Sequence, residues 1–262
     1  MCRLRNINKV SLKDNYPLLK MDHILQMVVG SSRISLLDGF SGYNQILVQK
    51  EDQAKTSFTT PWGTFMYVKI PFGLMNAGAT CQRAMDIDFA KEIHDFLVIY
   101  LDDITVFFET DNEHFDHLRQ VFIKCRKFGI SLNPKKNLFG LEEVKLLGHL
   151  ILKEGIRIDP ARIEAILNIH PPRNMKELQE FLGKINFLRR FISNLAEIIR
   201  ELNNMLKKDS VLKWTVEAKQ SFDFIKQALT KTPVLISPDF KKDFIIFSFA
   251  SKHTIAAVPA EE

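Results

Sequence analysis

Phe96-Leu97-Val98-Ile99-Tyr100-Leu101-Asp102-Asp103-Ile104-Thr105-Val106-Phe107-Phe108 is the stretch on which the reading of this chain turns. Two short runs rich in β-branched and aromatic residues flank two adjacent carboxylates, and each run reads as a strand. Two aspartates at a tight turn between buried strands repel each other unless a positive charge lies near. A divalent cation with a preference for hard oxygen ligands supplies that charge, and Mg²⁺ is the natural one. Asp is also common at solvated hairpin tips, so the pair alone leaves both readings open.

A third carboxylate favours the metal reading. Asp38 ends another apolar run, Ile34-Ser35-Leu36-Leu37, and Gly39 follows it. A residue without a side chain lets the backbone turn there and leaves a carbonyl free to join a metal shell. If the Asp38 strand neighbours the Asp102-Asp103 hairpin in one sheet, the three carboxylates converge. They are the parts of a two-metal phosphoryl-transfer site.

The chain has 262 residues, enough for a sizeable core and two or three subdomains. Its three cysteines, Cys2, Cys81 and Cys125, are widely spaced and odd in number. Without zinc-site spacing they read as reduced thiols of an intracellular, cytoplasmic or nuclear protein. No apolar stretch approaches the ~20 residues of a membrane span, so no membrane partner is expected. No apolar run near the N-terminus suggests secretion. The net charge is +5, and residues 156–213 hold eleven Lys/Arg against seven Asp/Glu. That excess marks either a phosphate-binding surface or ordinary solvated helix faces.

Strands are expected at 45–48 and 56–59, with Pro61-Trp62-Gly63 as a turn and Pro71-Phe72-Gly73-Leu74 as a break. A helix with Asp22 as its cap is expected near His23, and another over 76–94. A third is expected over 112–128, capped by Asn112, with Phe115, Leu118, Val121 and Phe122 as its buried stripe and Gly129 as its stop. Residues 146–151 read as strand and turn. Asp159-Pro160 opens a helix over about 161–169, and Pro171-Pro172 ends it. Asn174 and Glu177 then form a variant capping box for a helix burying Leu178, Phe181, Leu182, Ile185, Leu188 and Ile192. A last helix, 217–229, leads to Pro233 and a strand at 244–247. Alternating strands and helices indicate an α/β or α+β sheet domain.

These residues, in this order, resemble the reverse transcriptase of gypsy-type long-terminal-repeat retrotransposons, especially plant ones. The strings that carry the resemblance are Leu37-Asp38-Gly39-Phe40-Ser41-Gly42-Tyr43-Asn44-Gln45-Ile46, Pro71-Phe72-Gly73-Leu74-Met75-Asn76-Ala77 and Tyr100-Leu101-Asp102-Asp103. They continue with Leu147-Gly148-His149, with Phe181-Leu182-Gly183 and Arg189-Arg190-Phe191-Ile192, and with Pro233-Val234-Leu235 and Pro238-Asp239-Phe240. The resemblance covers nearly the whole chain.

It implies an α+β, right-hand polymerase fold: partial fingers and an antiparallel-sheet palm over 1–152, a helical thumb or connection over 153–212, and a truncated RNase H-like α/β segment over 213–262. It implies an RNA-directed DNA polymerase that adds a dNTP to the 3′-hydroxyl of a DNA primer on an RNA or DNA template. Asp38, Asp102 and Asp103 are the implied catalytic residues and ligands of two Mg²⁺ ions. Gly39, Tyr43, Phe72 and Gly73 are the implied dNTP site, Tyr43 as a gate against a ribose 2′-hydroxyl. Gly148 and His149 are the implied grip on the primer terminus. Lys184, Arg189 and Arg190 are implied thumb contacts to the phosphate backbone, which a sequence-blind polymerase needs more than base readout.

Three departures stand beside the resemblance. It begins at Met1-Cys2, part-way through the family's fingers, so the basic residues that usually hold the dNTP triphosphate are expected to be missing. Cys2-Arg3-Leu4-Arg5-Asn6 stands where the family usually has Cys-Val-Asp-Tyr/Phe-Arg, with Arg5 at the arginine position. Phe249-Ala250-Ser251 replaces the usual Asp-Ala-Ser of the RNase H strand, so no hybrid cleavage is expected. The departures keep a second function class in view, a non-catalytic remnant that at most binds nucleic acid. An unrelated metal-dependent phosphohydrolase would account for the carboxylates but not for the strings around Tyr43 and Pro71.

Overall fold

Apolar runs on either side of a two-residue loop pair with each other, and here they do. In the computed structural model, which describes residues 4–108, 111–206, 213–236, 242–250 and 255–261, the chain forms two compact units, Met1–Lys153 and Glu154–Glu262.

In the first unit, helices α1 (Arg5–Val10) and α2 (Met21–Val28) precede strand β1 (Arg33–Asp38). A 3₁₀ turn at Gly42–Gln45, helix α3 (Lys50–Gln53), strands β2 (Phe58–Thr60) and β3 (Gly63–Phe65), and helix α4 (Ala77–Asp88) follow. Strands β4 (Leu97–Tyr100) and β5 (Asp103–Phe108), helix α5 (Asp111–Phe128) and strand β6 (Leu138–Leu141) complete the part that carries the carboxylates. Strands β7 (Val144–Leu146) and β8 (His149–Leu152) form a hairpin after it.

Among the described residues, one sheet has the order β4-β5-β1-β6, with antiparallel neighbours throughout. Its hydrophobic face gives Leu37, Leu97, Ile99, Ile104, Val106 and Phe108 to a core shared with Met85 of α4, Phe89 just beyond it, and Leu118, Val121 and Cys125 of α5. Burying side chains of this size contributes about 1.5–3 kcal/mol each. The core therefore holds the sheet rigid below the loop that bears Asp102.

Several local expectations are corrected. Asp22 lies in the first turn of α2 and Lys20 is its N-cap residue; a carboxylate in that turn suits the helix dipole. Residues 45–48 form no ladder beyond an isolated Leu47–Lys69 bridge, because the 3₁₀ turn takes Gln45. Helix α4 stops at Asp88, short of 94, since Phe89 turns fully into the core. Helix α5 begins at Asp111, so Asn112 is inside it rather than its cap. Its buried face is His114, Leu118, Val121 and Cys125, while Phe115 is 77% exposed and Phe122 39% exposed. The expected and observed faces share Leu118 and Val121; packing against the sheet takes His114 and Cys125 beside them, at 4-3-4 spacing, in place of Phe115 and Phe122.

In the second unit, strand β9 (Gly155–Ile158) leads to helix α6 (Pro160–Leu167), with Asp159 Oδ1 accepting from the Ala161 amide at 3.1 Å. Helix α7 (Met175–Phe187) follows; Asn174 Oδ1 accepts from the Glu177 amide at 2.9 Å. The Glu177 carboxylate reaches back to the Arg173 amide at 2.8 Å, one residue before the box partner expected. Helix α7 ends before Leu188. Arg189–Phe191 is a 3₁₀ turn, so Ile192 is buried beyond the helix rather than on its face. Short helices α8 (Leu195–Ile198) and α9 (Arg200–Asn204) precede α10 (Val216–Thr230), capped by Thr215. Phe222 of α10 packs on Phe181 and Trp214 at ring-centroid separations of 4.8 and 5.8 Å. Strands β10 (Phe244–Ala250) and β11 (Ile255–Glu261) pair antiparallel, so the strand expected at 244–247 runs further. Cys2-Arg3, Pro238-Asp239-Phe240 and Ser251 lie outside the described residues.

Phe89 is fully buried between α4, α5 and the sheet. Phe89→Ala is expected to cost about 3–5 kcal/mol of unfolding free energy, measured by urea denaturation of the purified chain.

Candidate active site

Asp38 is the last residue of β1 and Asp103 the first of β5, and the register sets them directly opposite each other. Like charges in that position are destabilising. Tyr100 pairs with Asp103 across the β4–β5 hairpin, leaving Leu101-Asp102 as a two-residue loop. Leu101 has φ 61°, a conformation that hairpins of this length usually give to glycine. The register thus brings Asp38, Asp102 and Asp103 to one end of the sheet.

The loop lies against the chain that follows β1. The Gly39 amide donates to the Asp102 carbonyl at 2.9 Å. A Cβ on Gly42 would stand 2.5 Å from the Asp102 Cβ, so only glycine fits there. The Asp38 amide donates to Asn137 Oδ1 at 2.9 Å, and the Asp38 carbonyl accepts from the Asn133 amide at 2.8 Å. Lys136 Nζ lies 3.1 Å from Asp38 Oδ1. From its position opposite, Asp103 has its pKa raised above the usual carboxylate value, first by desolvation, then by Asp102 and Asp38, against a smaller lowering by Lys136. No three His, Cys, Asp or Glu side chains among the described residues form a ready-made metal cage. The all-oxygen donor set, with a repulsion that Lys136 relieves only in part, nevertheless suits a hard dication.

Beside the carboxylates, Tyr43 sits in the 3₁₀ turn and meets the Phe72 ring edge-on at 5.5 Å. Burial pushes the Tyr43 hydroxyl pKa up, with Asp102 adding to it. Phe72 and Gly73 are exposed, and Gly73 has φ 102°. Asn8 of α1 holds this loop at both ends, donating to the Gly73 carbonyl at 2.8 Å and accepting from the Met75 amide at 2.9 Å. Gly148 is in the β7–β8 turn with φ 80°. His149 is fully buried, so its ring faces the interior and the accessible part of that motif is the Leu147-Gly148 turn. In the second unit Lys184 and Arg189 are exposed and Arg190 is half-buried.

Sequence reasoning missed Asn8, Gln82, Lys136 and Asn137, and did not single out Gly42. Polar residues in loops or on a helix carry no periodic signal, and each acts here through a contact 17 to 99 residues away in sequence.

Two outcomes test this geometry. Gly42→Ala is expected to displace the Asp102 turn and lower unfolding free energy by about 1–3 kcal/mol, read by urea denaturation. The raised Asp103 pKa means that the folded chain holds this proton more tightly than the unfolded one. Stability then falls as pH rises from the ordinary carboxylate range through the raised value. Asp103→Asn should therefore raise the melting temperature at pH 7 in a metal-free buffer and leave it nearly unchanged at pH 3. Asp103 is partly open to solvent, which makes the effect modest.

Residues 1–151 match the family described as Reverse transcriptase (RNA-dependent DNA polymerase), and residues 214–262 match the RNase H-like domain found in reverse transcriptase. The chain is 32% identical over 255 residues to the retrovirus-related Pol polyprotein from transposon 297 of Drosophila melanogaster, covering 97% of this chain and 24% of that protein. It is 34% identical over 258 residues to the transposon Tf2-3 polyprotein of Schizosaccharomyces pombe, covering 98% of this chain and 19% of that protein. The chain thus spans about a fifth to a quarter of these curated relatives. The foamy viral protease-reverse transcriptase in complex with an RNA/DNA hybrid superposes with a TM-score of 0.83 at 27% identity, covering 99% of this chain and 35% of that one. The same viral protein in complex with double-stranded DNA gives 0.86 at 27% identity, covering 97% of this chain and 54% of that one. With its carboxylate-bearing sheet inside the matched region, this chain belongs to the reverse transcriptase family.

Proposed function

We propose that the chain is the polymerase portion of a long-terminal-repeat retrotransposon polyprotein and extends a DNA primer with dNTPs on an RNA or DNA template. The observation that carries this reading is the direct opposition of Asp38 and Asp103 next to Asp102, in a sheet otherwise built for burial. Asp38, Asp102 and Asp103 would hold two Mg²⁺ ions. Bound there, the ions supply charge neutralisation at the attacking and leaving oxygens of an in-line phosphoryl transfer.

The chain's own side chains do the rest. Tyr43, braced by Phe72, offers an aromatic wall for the sugar and base of a nucleotide. Gly39 and Gly73 let the backbone come close to it. The Leu147-Gly148 turn is the candidate contact to the primer end. Lys184, Arg189 and Arg190 supply positive charge to phosphates without reading sequence. The proposed subdivision is fingers and palm over 1–152, thumb over 153–212 and an RNase H-like segment over 213–262. Hybrid cleavage is not part of the proposed activity, since Phe249 stands at the strand position of the missing carboxylate. Free thiols at Cys81 and Cys125 suit an intracellular setting. Among the described residues no helix is long and apolar enough to cross a membrane.

Primer extension on an RNA template with Mg²⁺ tests the reading. Asp102→Asn is expected to reduce the rate at least about 100-fold while leaving primer–template affinity within a few-fold. Binding itself should weaken steeply as salt rises. Salt-sensitive binding with no extension by the unmodified chain would replace this reading with that of a non-catalytic remnant.

A further inference from the structure

Leu101 occupies a backbone conformation unfavourable for a branched side chain, and something must hold it there. Its amide donates to Oε1 of Gln82 at 2.7 Å. The Nε2 group of the same side chain donates to the Ile99 carbonyl at 3.1 Å and to Asp86 Oδ1 at 2.8 Å. Gln82 is 1% exposed, and one amide thus spans the strand end and the loop that carries Asp102. Its orientation is fixed by its partners: the Leu101 amide can only donate, whereas the Ile99 carbonyl and an ionised Asp86 can only accept.

Asp86 is itself held. Its Oδ2 accepts from the Tyr16 hydroxyl at 2.8 Å. The Arg83 guanidinium lies over the Tyr16 ring at 4.8 Å and pairs with Asp14 at 2.7 Å. The Asp14 amide in turn donates to Asn76 Oδ1 at 3.0 Å. A continuous chain of polar contacts therefore runs from the segment before α2, through α4, to the aspartate loop.

We propose that Gln82 is a positioning residue for the Asp102-Asp103 turn, and that Tyr16 and Asp86 set the orientation of its amide. The proposal rests on the polymerase reading for its catalytic consequence but not for its structural one. An apolar side chain of similar size would fill the same space but leave the Leu101 amide and the Ile99 carbonyl buried without partners. The turn would then relax and Asp102 would lose its fixed place against Gly39. Rates should suffer, since small misplacements of reacting groups are costly, while nucleic-acid binding through other surfaces should not.

Hydrogen–deuterium exchange and primer extension on the intact chain test this together. Gln82→Leu is expected to speed exchange over residues 99–104 by about tenfold with residues 114–125 unchanged. It should also lower kcat about tenfold or more with the KM for primer–template unaltered. Tyr16→Phe, which removes one hydroxyl from a half-buried site, is expected to speed exchange over 99–104 about threefold. Gln82→Glu sets two carboxylates side by side; adding Asp86→Asn returns a donor and should recover part of the protection. Unchanged exchange at 99–104 in Gln82→Leu would overturn the proposal, as would acceleration spread evenly over the first unit. If the unmodified chain does not extend primers, the exchange result alone decides the positioning role and the polymerase reading fails separately.

Discussion

The repulsion between Asp38 and Asp103 is the constraint around which the first unit is arranged. Paired strands normally avoid like charges at directly opposed positions, and this pair has a third carboxylate in the adjoining loop. The sheet tolerates the arrangement because the charges sit at its end, while Leu37, Ile99 and Ile104 immediately inward are almost wholly buried. Hydrophobic burial and repulsion are thus separated by one residue along each strand. Part of the cost is offset by Lys136, an exposed lysine whose contact with Asp38 is the weak, solvent-screened kind. A dication would offset far more, and the residual strain is the physical reason to expect one.

Geometry at the loop follows from the same constraint. To bring a third carboxylate close, the β4–β5 hairpin must turn within two residues, and Leu101 takes the positive φ that this needs. The segment after β1 must then pass close to Asp102, which removes the side chain at Gly42 and restricts Gly39, where a Cβ would meet the Asp102 carbonyl oxygen at 3.0 Å. Helix α4 packs from the other side, placing Gln82 against Leu101 and Cys81 Sγ 3.9 Å from the Leu101 carbonyl. Burial there holds the Cys81 thiol at a pKa of about 11, so it behaves as an apolar filler.

Much of this was legible before the fold was known, for identifiable reasons. The β4–β5 hairpin was readable because β-branched runs on either side of a short polar break admit few other structures. Caps at Asp159 and Asn174 were readable because their hydrogen bonds are local. What escaped was set by distant partners. Nothing near Asn8 says that it will bracket the Gly73 loop 65 residues on. His149 reads as a polar residue in a motif, and only the packed β7–β8 hairpin shows its ring to be inside.

Helix α5 shows why pattern alone could not decide the rest. Its sequence has apolar residues at 115, 118, 121 and 122, and this spacing defines a plausible face. The true face keeps Leu118 and Val121 but takes His114 and Cys125 in place of Phe115 and Phe122, with His117 half-buried at its edge. His114 is buried with Nε2 2.9 Å from Ser35 Oγ, and His117 stacks on Phe96 at 3.9 Å and on Phe108 at 4.5 Å. A flat ring against a strand residue's flat ring gains contact that a hydropathy scale does not count, because imidazole ranks as polar. Phe115 and Phe122 are displaced outward, where they line an open apolar recess together with Phe139 of β6. The choice between the two faces lies in the shape of Phe96 and Phe108. The residues that build the aspartate-bearing hairpin therefore also fix the helix that supports it.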